Sequence, residues 1–194
     1  MKKIILSIIC LSLISNWVFG QKTRLTEHEK KDLRYLYEEE RLANDVYNQL
    51  AKKWNSRVFA QIATSENRHY TYLLDFLEKY QESIPKNEVG FYNSMELNSI
   101  YDNFITNGFK SYKDALLVAA QFEEYDIVDL QEAMEMTDKQ ELKKVYVYLE
   151  EGSKRHLRAL YRNIKRKRMN YEPILLGKKE FLEIINQEKN RKIK

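Results

Sequence analysis

The sequence predicts an all-α protein: a four-helix bundle built as two antiparallel helical hairpins, joined by a long crossover that carries a short helix. Three observations predict it. Glycine and proline are scarce, 5 and 2 among 194 residues, while Glu, Lys, Leu and Tyr are abundant, which favours long helices. Apolar residues recur at alternating steps of three and four, the period of a helix face turned to a core. The breaks are few, and they give two short connections and one long one.

Residues 1–20 read as a secretory signal peptide. Lys2 and Lys3 form a positive start, Ile4 to Ile14 a short apolar run, and Trp17-Val18-Phe19-Gly20 ends it on a small residue. The run is too short to span a bilayer as a helix. The expectation is cleavage after Gly20, export to the periplasm or the cell exterior, and no transmembrane segment in what remains. Cys10 is the only cysteine and follows Ile9 rather than a small residue, which disfavours a lipoprotein. With no disulfide after cleavage, the chain must rely on core burial, and residues 21–170 are long enough to supply it in one domain. A formal net charge of +4 is mild and calls for no nucleic acid or anionic surface as partner.

The first helix is expected to begin at Thr26, where Thr26 and Glu29 make a capping box. Its seam runs Leu33, Leu36, Glu40, Ala43, Tyr47, Leu50 and Trp54. After a turn at Asn55-Ser56, the second seam runs Phe59, Ile62, Glu66, His69, Leu73, Phe76 and Tyr80. Pro85, Asn87 and Gly90 then interrupt, a short helix is expected near 94–107, and Gly108 stops it. This connection is long enough to run the length of the bundle. Ser111 and Asp114 start the third helix, with a seam of Leu116, Ala120, Glu123, Ile127, Leu130 and Met134. Asp138 and Glu141 resemble a capping box for the fourth, whose seam runs Leu142, Val145, Leu149, Gly152, His156, Ala159 and Asn163. Gly152 is read as leaving space beside His156. The tail, 171–194, is weakly specified, with one short helix near 179–188.

Polar residues break three of these seams with carboxylates, Glu40, Glu66 and Glu123, and two with imidazoles, His69 and His156. Glu66 and His69 are spaced i, i+3 and share a face. Such groups are costly in a core unless they bind something. Each hairpin offers a glutamate from its first helix and a histidine from its second, at mid-bundle height. Two hairpins with one crossover match the ferritin-like topology, and a di-iron or di-manganese carboxylate site needs such a ligand arrangement.

The sequence also resembles the ferritin-like bacterial and archaeal family catalogued as domain of unknown function 2202. The resemblance rests on Glu-Glu-Glu-Arg-Leu-Ala-Asn-Asp-Val-Tyr at 38–47, Ile-Ala-Thr-Ser-Glu-Asn-Arg-His at 62–69 and Glu-Glu-Tyr-Asp-Ile-Val-Asp-Leu at 123–130. It continues with Glu-Gly-Ser-Lys-Arg-His-Leu-Arg-Ala-Leu at 151–160 and Tyr-Glu-Pro at 171–173. More distantly, the spacing of Glu40, Ala43 and Tyr47, and of Glu66 and His69, is similar to rubrerythrin. The resemblance implies the fold, and no agreed biochemical function comes with it. The wider ferritin-like group implies iron oxidation, or reduction of oxygen or peroxide.

The metal ligands expected are Glu40, Glu66, His69, Glu123 and His156, with iron first and manganese second as the metal, in a mononuclear or dinuclear site. One position departs from the usual pattern, because Ser153 stands three residues before His156 where a glutamate is usual. Asp126, Glu124 or a water are the candidates to fill that vacancy. Tyr47, seven residues after Glu40, either bonds a ligand carboxylate or is a core tyrosine with its hydroxyl satisfied. The rival reading is a non-catalytic binding or structural bundle whose polar seam is a hydrogen-bonded relic. Lys165-Arg166-Lys167-Arg168 reads as a helix end whose cations complement the dipole. A homo-oligomer is left open.

Overall fold

The computed structural model describes residues 24–84 and 88–191. Residues 1–20, read above as a leader, lie outside them with the expected cleavage point, as do Pro85 and Asn87. The described residues form α1 (Glu27–Trp54), α2 (Arg57–Lys79), α3 (Met95–Gly108), α4 (Tyr112–Glu135), α5 (Gln140–Arg166) and α6 (Lys178–Arg191). No strand is present among them. No described helix is long and apolar enough to cross a membrane.

The capping box at Thr26 and Glu29 forms on both sides. Thr137, in the turn after α4, also donates to the buried Glu29 carboxylate, so the start of α1 is tied to the α4–α5 turn. Asn55 ends α1 in the left-handed conformation (φ 45°), which asparagine tolerates better than most residues, and α2 returns antiparallel. The crossover then descends the bundle. Trp54 donates its indole N–H to the Gly108 carbonyl at 2.9 Å, so α3 ends beside the α1–α2 turn. From there Ser111 caps α4 through the Asp114 amide. α4 therefore runs parallel to α2, and α5 returns beside it. The result is an all-α bundle of two antiparallel hairpins joined by a crossover with a short helix. The pair Asp138/Glu141 does not cap α5: Lys139 is the cap residue without a side-chain bond, and Glu141 instead receives Lys79 and Tyr80 of α2.

Four expected seam positions are displaced by one residue, and the forward shifts on α2 and α5 follow the drift of a 3.6-residue helix against a 3.5-residue stripe. Near the helix ends the buried positions become Leu77, Ala133, Leu160 and Ile164 in place of Phe76, Met134, Ala159 and Asn163. The tail is held more tightly than its Pro and Gly suggest. Tyr171, Leu176, Phe181 and Ile184 are all buried and join the core.

The core is divided. One apolar cluster contains Leu42, Tyr47, Phe59, Leu116, Ile127 and Leu157. A second contains Leu33, Leu36, Leu73, Leu130, Val145 and Leu149. Between residues 36 and 42 of α1, 63 and 73 of α2, and 149 and 157 of α5, the interior is polar. Leu, Phe and Tyr above and below keep water out of that layer.

Candidate metal centre

The polar layer is assembled from one turn of each long helix. Glu40, Glu66, His69, Glu123, Asp126, Ser153 and His156 are all buried in it. The i, i+3 spacing aims Glu66 and His69 the same way on α2, and Glu123 and Asp126 the same way on α4.

Glu66 is at the middle. Its Oε1 lies 2.7 Å from His156 Nδ1 and its Oε2 lies 2.7 Å from His69 Nδ1. Glu40 Oε2 approaches His69 Nδ1 at 3.2 Å, and Glu123 Oε2 approaches His156 Nδ1 at 3.3 Å. Two triads follow, Glu40–Glu66–His69 and Glu66–Glu123–His156, and in each the ligand-type atoms lie within 4.8 Å of one another. They share Glu66. The imidazoles are 5.6 Å apart between centroids, tilted by 28°, and both turn Nδ1 inward.

Neighbouring groups hold these side chains. Tyr47 donates its hydroxyl to Glu123 Oε1, and Ser153 donates to Asp126 Oδ2. Tyr148 packs edge-on against the His69 ring, with centroids 5.6 Å apart. Gly152 makes room for His69, not for His156 as its position on α5 suggests. A Cβ there would stand 2.3 Å from His69 Cε1 and 2.6 Å from Nε2.

Burial and charge act strongly here. Burial drives the Glu40 carboxyl up to about 8, although the His69 charge pulls it the other way. Burial also raises Glu123 and pushes Asp126 well above the usual range, Asp126 further through Glu40 and Glu123. For Glu66, burial is outweighed by His156 and His69, which hold it well below the usual carboxylate range. Burial disfavours charge on the imidazoles too, but their carboxylates win and raise His69 to about 12 and His156 to about 10.

The layer is not satisfied internally. Glu40 Oε1, Glu66 Oε2, Glu123 Oε2, Asp126 Oδ1 and His156 Nδ1 are buried without a hydrogen-bond partner. Each such group costs about 1–3 kcal/mol, and a domain of this size has a total stability of only about 5–15 kcal/mol. A cation held by a triad would remove that cost for the atoms that ligate it. Four carboxylates and two neutral imidazoles carry four negative charges, which two divalent cations neutralise. The two triads therefore fit a metal centre; Asp126 is in neither of them, and its carboxylate accepts the Ser153 hydroxyl beside them.

Glu124 does not fill that place. Its Oε1 accepts the Tyr171 hydroxyl at 2.5 Å, and its Oε2 accepts the amides of Ile174, Leu175 and Leu176 at 2.9, 2.8 and 2.9 Å. One residue from Glu123 is about 100° around the helix, so its carboxylate faces the returning tail. Asn44 and Asp45 also stay out, bonded to the Ala63 carbonyl and the Tyr92 hydroxyl. Sequence reasoning missed Glu39, fully buried with both oxygens unpartnered. It missed Glu38 as well, which accepts the Asn93 amide of the crossover. The Glu-Glu-Glu run was visible, but a single seam assigns only one of its three members.

Residues 29–188 match the model of a family described as "Uncharacterized protein domain (DUF2202)". The uncharacterized protein MJ0754 of Methanocaldococcus jannaschii is 36% identical over 172 residues, 88% of this chain and 93% of that protein. A crystal structure of the hypothetical protein MJ0754 from Methanococcus jannaschii superposes with a TM-score of 0.81 at 38% identity, covering 84% of this chain and 94% of that one.

Proposed function

The chain belongs to this DUF2202 family, and we propose that it is an exported ferritin-like metalloprotein whose buried layer binds iron and uses it for redox chemistry. Glu40, His69 and Glu66 would hold one ion. Glu66, Glu123 and His156 would hold the second, with Asp126 as an added carboxylate. The observation that carries this reading is the shared Glu66, one carboxylate with an imidazole Nδ1 at 2.7 Å from each of its oxygens. A single carboxylate shared between two nitrogen–carboxylate sets is what a dinuclear centre requires. Bound iron would supply electron exchange, in oxidation of ferrous iron or in reduction of peroxide or dioxygen.

The chain's own groups have definite parts in this. The apolar clusters above and below exclude water. Tyr47 orients Glu123 through its hydroxyl, and Ser153 does the same for Asp126. The imidazoles must shed their protons to ligate, so loading releases protons into the layer. The test is iron and manganese analysis of protein purified without chelator, beside Glu66→Ala. The leader adds that the centre works outside the cytoplasm, and a mature N-terminus at Gln21 of the secreted chain checks that.

A second reading rests on the same ion pairs. Glu66 between two cationic imidazoles is charge-balanced in part without metal. A non-catalytic bundle with a relic centre would keep that arrangement, and its purified form would contain no stoichiometric metal.

A further inference from the structure

One buried carboxylate is left without a task by the centre. Glu39 is fully buried, and neither oxygen has a hydrogen-bond partner. It lies about 100° around α1 from Glu40. The charges acting on it most strongly belong to Asp126 and Asp129, followed by Glu40 and Glu96. Tyr35 and Tyr125 interact with it in turn. Of these, Tyr35, Glu96, Tyr125 and Asp129 line an open cleft of roughly 1320 Å³ bounded by α1, α4 and the start of α3. Glu39 is one turn beyond Tyr35 on the same face of α1, as Asp126 is one turn from Asp129 on α4, and the Tyr35–Tyr125 contact brings these two faces together. The Tyr35 and Tyr125 hydroxyls, 2.5 Å apart, close the floor.

The cleft is acidic. Seven carboxylates, among them Asp32, Glu96 and Asp129, line it against Lys31 and Arg34. A divalent cation is drawn toward that excess. We propose that this cleft is the entry path for divalent cations, and that Glu39 is the relay carboxylate between Asp129 at the floor and Asp126 at the centre. The proposal rests on the metal-centre reading. An unpartnered carboxylate is expensive to bury, and a passing cation is the ligand its two free oxygens suit. A cleft lined by an excess of carboxylates focuses the field and raises the on-rate of a cation. The shallow depression on the α2 side, around Tyr72 and Tyr148, leads to the His69 ring but has only Asp75 as a carboxylate, beside Arg68.

The experiment is stopped-flow uptake of cobalt(II) by the metal-free full chain, read with a fluorescent chelator that reports free metal. Asp129→Asn and Glu39→Gln, both nearly isosteric, are each expected to slow uptake about three- to tenfold. The Asp129→Asn endpoint should equal that of the wild type, and 0.5 M salt should narrow the difference between them. Glu151→Gln with Glu183→Gln, which remove the same kind of charge on the α5–α6 face, should leave the rate unchanged. Equal rates in all variants, or equal slowing in the α5–α6 control, overturn the entry path while the centre stands. A wild type that takes up no cobalt overturns the centre and the path together.

Discussion

Gly152 of α5 and His69 of α2 are in such close register that a Cβ on the glycine would stand 2.3 Å from Cε1 of the imidazole. No rotamer change of an alanine relieves that contact, because the clashing atom is the Cβ itself. The ring would have to swing, and its Nδ1 would leave Glu40 and Glu66. Gly152→Ala is expected to remove at least half of the bound metal while the helical circular dichroism is retained. Retention of full metal content would show that His69 is not a ligand.

Asp126 is the carboxylate proposed for the place that Ser153 leaves open. If it takes the place of the absent glutamate, Asp126→Asn should lower metal content from two ions per chain toward one. Metal analysis of the two proteins prepared side by side decides it. Ser153→Ala, which only removes the orienting hydroxyl, should weaken binding by about 10- to 100-fold, as loss of such supporting bonds does elsewhere.

Glu124 should behave differently from its neighbour Glu123. Replacing it with alanine leaves three amides and the Tyr171 hydroxyl without their acceptor. A loss on the order of 3 kcal/mol is expected in denaturant unfolding, with metal stoichiometry unchanged. Glu123→Gln should reverse that pattern, with metal lost and the tail in place.

The metal-free protein should become less stable as pH rises. Glu40 at about 8 and Asp129 at about 7 exceed their unfolded values of 4.5 and 3.8, so between those limits the folded state holds more protons. His69 at about 12 and His156 at about 10 exceed 6.5, and their contribution is fully present below 6.5 and lost as pH rises through the folded values. Both sets give a stability that falls with pH from about 5 to 9. Glu66 acts oppositely, but only below about pH 4.5, where its depressed value matters. Thermal unfolding in chelator should show a lower Tm at pH 8.5 than at pH 6, and added metal should cancel or reverse that slope.

The parts of this molecule that were legible in the sequence share one property: they lie on the faces that the long helices turn to each other. Glu40, Glu66, His69, Glu123 and His156 each replace a leucine-like position in a regular stripe, so each was visible as an exception. Asp126 was visible as one turn beyond Glu123. Glu39 was not, because it lies off the seam of α1 and its burial comes from packing that no local pattern predicts. Sequence could not separate Glu124 from the other candidates for a similar reason, since its partners, the amides of 174–176, come from a loop some 50 residues away. The role of Gly152 depends on a ring from a different hairpin. Periodicity reports which face is covered, and long-range packing decides what covers it.

The most direct test of the central claim is metal stoichiometry, with anomalous scattering at the iron edge on crystals of the same native protein. The account predicts close to two ions per chain on either side of Glu66, each within about 2.0–2.3 Å of an imidazole nitrogen or carboxylate oxygens, and their loss in Glu66→Ala. Less than about 0.2 metal per chain, unchanged by Glu66→Ala, with Glu66 still clasped between His69 and His156, would contradict it.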